Sequence, residues 1–79
     1  MYKDLLEYIA KNLVQNPDQI SIEETENESK KILKLKVAKE DMGRIIGKDG
    51  RIIRAIREII LSYGMKEKIR VSVEVEEQK

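Results

Sequence analysis

The fold is decided by the stretch Gly43-Arg44-Ile45-Ile46-Gly47-Lys48-Asp49-Gly50-Arg51-Ile52-Ile53, in which Gly47 and Gly50 interrupt an apolar helical pattern. Residues 39–46 predict a short helix, and residues 51–63 predict a longer one. The two glycines therefore bound a loop between two helices. A Cβ at either glycine would obstruct a phosphate backbone that approaches the main chain closely. The loop is thus a candidate contact for a sugar-phosphate backbone.

Charged residues around the loop are the candidates for binding phosphate, since the net charge of the whole chain is only +1 and predicts no partner by itself. Lys48 and Arg51 add positive charge where loop amides and a helix N terminus already favour an anion. Arg44 and Arg54 are further candidates, the alternative being a solvated helix face. Asp49 is predicted to point to solvent or to cap the following helix.

The longer helix has one apolar side, which predicts a buried face. That side is formed by Ile52, Ile53, Ile56, Ile59, Ile60 and Tyr63. Gly64 follows in the position that a helix-terminating glycine prefers. Leu61 lies outside the apolar side of this helix, and Tyr8 lies outside that of a helix near the N terminus. Both are candidates for a protein interface, the alternative being isolated exposed apolar residues without a function.

The first half of the chain predicts a helix and a hairpin. Residues 3–15 have the apolar spacing of an amphipathic helix, which we expect to end at Asn16-Pro17. Apolar and polar residues alternate over residues 20–23 and 33–37, as they do in half-buried strands. A turn is predicted between these strands at residues 27–29.

A third strand is predicted over residues 69–75, before an acidic tail at residues 76–79 that we expect to fray. The element order is therefore αββααβ. This order predicts an α+β fold, with a three-stranded sheet covered on one face by three helices. No linker or repeat divides the chain, so we expect one domain over residues 1–79, with a core from about residue 3 to about residue 75.

Composition excludes several classes of function. The chain contains no cysteine and no histidine, and we predict no metal site, no cofactor and no catalytic residue. Gly43, Gly47 and Lys48 superficially match a nucleotide-binding P-loop, but the spacing is one residue short and Asp49 replaces the magnesium-binding Ser or Thr. No apolar run approaches the roughly 20 residues that span a bilayer, and no signal peptide is recognisable. We therefore expect a cytoplasmic protein.

The stretch 43–53 resembles the IIGxxGxxI signature of KH domains, and the element order resembles the type II KH arrangement. The resemblance implies that the loop from Gly47 to Gly50 holds about four nucleotides of single-stranded RNA. It also implies an aliphatic groove floor from Ile45, Ile46 and Ile53, although Ile46 and Ile53 could instead be ordinary core residues. No aromatic residue lies near the loop, so we expect weak and weakly selective binding by one copy.

Over nearly its full length, the sequence resembles the small bacterial single-KH proteins of the KhpA type. This resemblance implies an RNA chaperone or post-transcriptional regulator that forms homodimers, or heterodimers with a larger KH protein of the KhpB type. Two weak sites on one dimer would raise affinity through effective concentration. The alternative is a protein interaction module whose contact with RNA depends on such a partner.

Overall fold

The computed structural model describes residues 2–78 and follows the predicted order αββααβ. Its helices and strands are α1 (Tyr2–Lys11), β1 (Ser21–Asn27), β2 (Lys30–Val37), α2 (Met42–Ile46), α3 (Arg51–Lys66) and β3 (Arg70–Glu77). Short 3-10 helices lie at Pro17–Gln19, Lys39–Asp41 and Lys48–Gly50. The predicted α+β fold is confirmed.

The sheet has the order β1-β2-β3, with β1 antiparallel and β3 parallel to β2. A parallel pair needs a long crossover connection, and α2 and α3 supply it. Side chains alternate along β2, so that Leu33, Leu35 and Val37 are buried while Lys34 and Lys36 on the other face stay partly exposed. The helices pack on the apolar face, where the fully buried side chains of Leu6, Ile45 and Ile60 join the core.

Tyr2 ties α1 to the end of α3. Its hydroxyl donates a hydrogen bond to Glu67, and its ring lies edge-on to the ring of Tyr63 at 5.5 Å between centroids. The bond to Glu67 is the largest cause that raises the pKa of Tyr2 to about 12, with desolvation adding to it. The Nζ atom of Lys31 lies 5.0 Å from the centre of the same ring. One aromatic side chain therefore joins helix, sheet and loop.

Helix α1 ends at Lys11, four residues before the predicted end at residue 15. The chain turns there because the amides of Leu13 and Val14 both bond to the carbonyl of Ala10, at 3.0 and 3.2 Å. The prediction that the proline ends this helix is therefore wrong, and Pro17 instead begins a short 3-10 helix.

Helix α3 continues to Lys66, so the prediction that Gly64 ends it is wrong. Gly64 is buried inside the helix, and a Cβ built on it would lie 2.7 Å from the carbonyl oxygen of Ile69. The glycine is thus explained by the close approach of β3. The chain leaves the helix through Lys68, whose φ is 61°. The predicted apolar side is also too wide, because Ile59 is about half exposed.

The acidic tail is ordered further than expected. Strand β3 runs to Glu77, and the amide of Gln78 then bonds to the carbonyl of Val37 at 2.7 Å. The side chain of Gln78 donates to the carbonyl of Gln19 and to the hydroxyl of Ser21, both at 3.0 Å. The prediction of fraying is therefore wrong as far as residue 78, and residue 79 lies outside the described part of the chain.

Candidate nucleic-acid interface

The loop between α2 and α3 is a single tight turn with three left-handed residues. The φ angles are 77° at Gly47, 57° at Asp49 and 73° at Gly50. Among non-glycine residues, Asp and Asn tolerate this conformation best, which explains Asp49. The side chain of Asp49 is exposed, and no side chain caps α3. Of its two predicted roles, pointing to solvent agrees with the structure and capping does not.

The two loop glycines are required for different reasons. A Cβ on Gly47 would lie 2.6 Å from Cγ1 of Ile52, because that side chain packs beneath the loop. A Cβ on Gly50 would meet nothing nearer than 4.0 Å, so Gly50 is needed for its positive φ. Gly43 has ordinary helical surroundings, with no atom within 4 Å of a built Cβ. Local packing therefore accounts for Gly47 even without a ligand.

The predicted phosphate-binding side chains surround the loop. Lys48 and Arg51 are exposed, and the side chain of Arg44 is 48% exposed. Arg54 is less available to bind phosphate, because its Nη2 donates a 2.8 Å hydrogen bond to the carbonyl of Asp49 and so stabilises the loop. No side chain caps the N terminus of α3, and its dipole favours an anion there, although the amides of Gly50 and Arg51 already donate to the carbonyls of Gly47 and Lys48. The result is an exposed turn with Lys48 and Arg51 beside it, while Arg44 is nearby and paired with Asp41.

The predicted aliphatic groove floor is mostly core. Ile45 is fully buried and Ile53 is 6% exposed, so both belong to the core. For Ile53, a core position was the predicted alternative to a place in the groove floor. Ile46 is half-buried and packs against the core while keeping some exposed surface. Of the three isoleucines, Ile46 presents the most apolar surface next to the loop.

Asp41 is a residue whose role sequence reasoning missed. It directly precedes α2 and is fully buried. Its Oδ1 accepts from the amide of Gln15 at 3.0 Å, and its Oδ2 accepts from the amide and the Nδ2 of Asn16, both at 3.0 Å. Nε of Arg44 lies 3.7 Å from Oδ1. The hydrogen bond from Gln15 is the main cause that lowers the pKa of Asp41 below its ordinary value of 3.8.

A groove of about 880 Å³ runs between α3 and the outer edge of β3. We call it the α3–β3 groove, and its lining residues are Ser29, Arg57, Leu61, Met65, Lys68, Ile69, Arg70, Val71, Ser72 and Val73. Nε of Arg57 donates to the carbonyl of Val73 at 3.1 Å across its middle. Leu61 is 41% exposed and Met65 68% exposed within it. Tyr8, at 71% exposure, lies on α1 and is not part of its lining.

Sequence reasoning named Leu61 but missed Met65, whose place beside Leu61 follows from helical spacing of four residues. It also passed over Lys68 and Arg70, which give the end of the groove a positive charge. Within residues 2–78, no group of three Asp or Glu side chains could hold a metal ion, and no helix is long and apolar enough to cross a membrane.

The chain is similar in sequence to one protein family and to individual proteins of that family. The family described as KhpA/KhpB, KH domain matches residues 3–75. The chain is 53% identical over 73 residues to the RNA-binding protein KhpA of Clostridium acetobutylicum, covering 92% of this chain and 97% of that protein. It is 46% identical over 77 residues to the RNA-binding protein KhpA of Chlamydia pneumoniae, covering 98% and 99%.

A solved structure has a similar fold at low sequence identity. It is a crystal structure of Aquifex aeolicus Era bound to GDP.AlF4-, with a TM-score of 0.61 and 17% identity. The similarity covers 96% of this chain but only 29% of the Era chain, so the likeness concerns the fold alone.

Proposed function

The chain belongs to the KhpA/KhpB family of KH-domain proteins, and from that premise we propose that it binds single-stranded RNA through the loop from Gly47 to Gly50. The family is non-enzymatic. Its relatives named above are RNA-binding proteins. We propose that this chain holds about four nucleotides and acts as an RNA chaperone or post-transcriptional regulator.

The observation that carries the proposal is the exposed, left-handed turn set on the uncapped N terminus of α3. Gly50 has no side chain, and the space around its Cα is open, since a built Cβ would meet nothing nearer than 4.0 Å. A phosphate can therefore approach the main chain, where N–H groups and the helix dipole favour negative charge. Lys48, Arg51 and Arg44 supply formal positive charge beside it, while Arg54 holds the turn from within.

We further propose that the α3–β3 groove is where a second KH chain packs, either another copy or a larger KhpB-type protein. Leu61 and Met65 are its most prominent apolar side chains, and both are exposed in the single chain. Isolated exposed apolar residues are common, but two of them four residues apart in one groove form a continuous apolar surface. Tyr8 stands apart from this groove and remains a weaker candidate.

The test of RNA binding is fluorescence anisotropy with a mixed-sequence single-stranded RNA of about ten nucleotides, which is longer than one KH site. Lys48→Asp places two neighbouring carboxylates beside the expected phosphate, so we expect binding to weaken about tenfold or more at low salt. Wild-type affinity should also fall as salt concentration rises, because phosphate contacts release counterions.

Lys66→Asp is the matched control. It makes the same change of charge at the opposite end of α3, a helix of 16 residues that is therefore about 24 Å long. We expect this variant to bind nearly as well as the wild type. Equal weakening by both variants would mean that net charge, rather than the loop, governs binding. A folded wild type that binds no RNA at high micromolar concentration would favour the partner-dependent interaction module.

A further inference from the structure

Asp41 is a buried carboxylate that takes no part in the proposed contact with RNA. Both of its oxygens are occupied by donors from residues 15 and 16, on the connection between α1 and β1. Asn16 reinforces the contact, since its Nδ2 also lies 3.2 Å from Oε1 of Glu40. Burying an ionised carboxylate is costly unless every lone pair finds a donor. The carboxylate is therefore held in one place.

That place is the first residue before α2. Helix α2 has only five residues, and its last turn runs directly into Gly47, whose amide bonds to the carbonyl of Gly43 at 2.9 Å. Ile45 packs the helix against the core, and Asp41 ties its first turn to the connection between α1 and β1. Both contacts together set the orientation of α2 and of the loop at its far end.

From this geometry we infer that Asp41 is a positioning residue for the RNA-binding loop, anchoring α2 and Arg44 without touching RNA itself. Its carboxylate ties the start of α2 to residues 15 and 16, and its charge holds the Arg44 guanidinium one turn further along, with Nε 3.7 Å from Oδ1. The inference rests on the proposed RNA binding at the loop.

The main test is Asp41→Asn, measured in two ways on the folded protein. The neutral amide keeps the size of the side chain but turns one acceptor into a donor that faces N–H groups. We expect the amide NMR signals of Gly47 and Gly50 to shift without any RNA present. We also expect RNA affinity to fall about fivefold to tenfold, because a loop that is no longer held in place must be ordered when RNA binds.

A double-mutant cycle separates positioning from general destabilisation. Arg44→Gln should weaken RNA binding, and adding Asp41→Asn to it should cost less than Asp41→Asn costs in the wild type, because the two residues act as a unit. Ile60→Val is the control for stability, since Ile60 is a fully buried core residue of α3 that belongs neither to the loop nor to the lining of the α3–β3 groove. It should lower the unfolding temperature but leave the loop signals and the affinity of the folded protein unchanged.

Asn16→Ala is the second variant, in case Asp41→Asn does not fold. It removes only the Nδ2 donor and keeps the backbone donors, so we expect the same loop signals to shift and affinity to fall about twofold to threefold. Unchanged signals at Gly47 and Gly50 in a folded variant would overturn the inference. So would tighter RNA binding by Asp41→Asn, which would mean that the carboxylate merely repels phosphate. If the wild type binds no RNA, the proposed function fails, while the signals still decide the positioning role.

Discussion

At the scale of single residues, alanine substitutions at different glycines are predicted to change the stability of the fold in opposite directions. Gly47→Ala would place a Cβ 2.6 Å from the Ile52 side chain at a φ of 77°. With ψ at 174°, Gly47 lies in a region that essentially only glycine occupies, and an L-residue there costs about 1–3 kcal/mol before any overlap is counted. We expect Gly47→Ala to destabilise the fold by about 2 kcal/mol or more. Gly64→Ala should also destabilise, because its Cβ would meet the backbone oxygen of Ile69 at 2.7 Å.

Gly43→Ala is the internal control for these variants. Nothing lies within 4 Å of its built Cβ, and alanine is favoured over glycine in a helix by about 0.5–1 kcal/mol. We therefore expect it to stabilise the fold slightly. Urea unfolding followed by circular dichroism measures all three variants. Destabilisation by Gly43→Ala as large as that of Gly47→Ala would contradict the packing described here.

The sequence predicted the loop glycines but misread Gly64 and missed Asp41. A glycine near the end of a helical pattern usually terminates the helix, and only the approach of Ile69 reveals another reason for Gly64. An aspartate at the start of a helix usually caps it, whereas Asp41 accepts from residues more than twenty positions earlier in the chain. Tertiary contacts of this kind leave no periodic signal in a single sequence.

At the scale of elements, the anchor of α2 makes stability depend on pH. The pKa of Asp41 is lowered below 3.8 in the folded protein, so its contribution to stability is present above pH 3.8 and is lost as the pH falls through the folded pKa. Asp41→Asn lacks this contribution. We expect the gap between the unfolding temperatures of wild type and variant to be widest near neutral pH and to shrink below about pH 4.

Calorimetric scans between pH 3 and pH 7 measure that gap. Glu40 and Arg44 are the other charged groups at this site, and both are present in the two proteins. Glu23, whose pKa is lowered by its bond to Lys36, is also present in both proteins. Its titration therefore does not change the difference between their unfolding temperatures. A gap that stays constant with pH would mean that the charge of Asp41 does not stabilise the fold.

The elements themselves were largely predictable, but several of their ends were not. Period-two alternation was enough to find β1 and β2, since one face of the sheet is buried. The end of β3 was placed too early because the partners of Gln78 are Val37, Gln19 and Ser21, all far away in sequence. The early end of α1 was missed because the apolar pattern continues to Leu13 beyond the last helical turn.

At the scale of the whole molecule, the proposed pairing of two chains predicts an effect of Leu61→Glu. A carboxylate in the α3–β3 groove would replace an apolar contact and lose its hydration in a dimer, at a cost of several kcal/mol even if it pairs with Arg57, but it would stay solvated in a monomer. We expect this variant to be a monomer by light scattering at micromolar concentration, where we expect the wild type to be a dimer. Ser62→Glu, one residue away and exposed, should leave the mass unchanged.

Tyr8→Glu tests the other candidate surface, on α1. If this variant becomes a monomer while Leu61→Glu does not, the pairing surface lies on α1 and the groove is free. If the wild type is already a monomer at micromolar concentration, any pairing must involve a different KH protein. RNA binding by a folded Leu61→Glu variant then reports the affinity of a single loop.

The crossover between the parallel strands also bears on synthesis of the chain. The hairpin of β1 and β2 pairs segments that are neighbours in sequence. The pairing of Lys30 with Arg70, in contrast, spans α2, the loop and α3. Such distant pairing forms late, because loop-closure entropy must be overcome first. On a ribosome, the hairpin can form while the remainder is still being translated. We therefore expect the loop to reach its final geometry only after β3 has emerged, and a partly made chain to bind RNA less well than a finished copy.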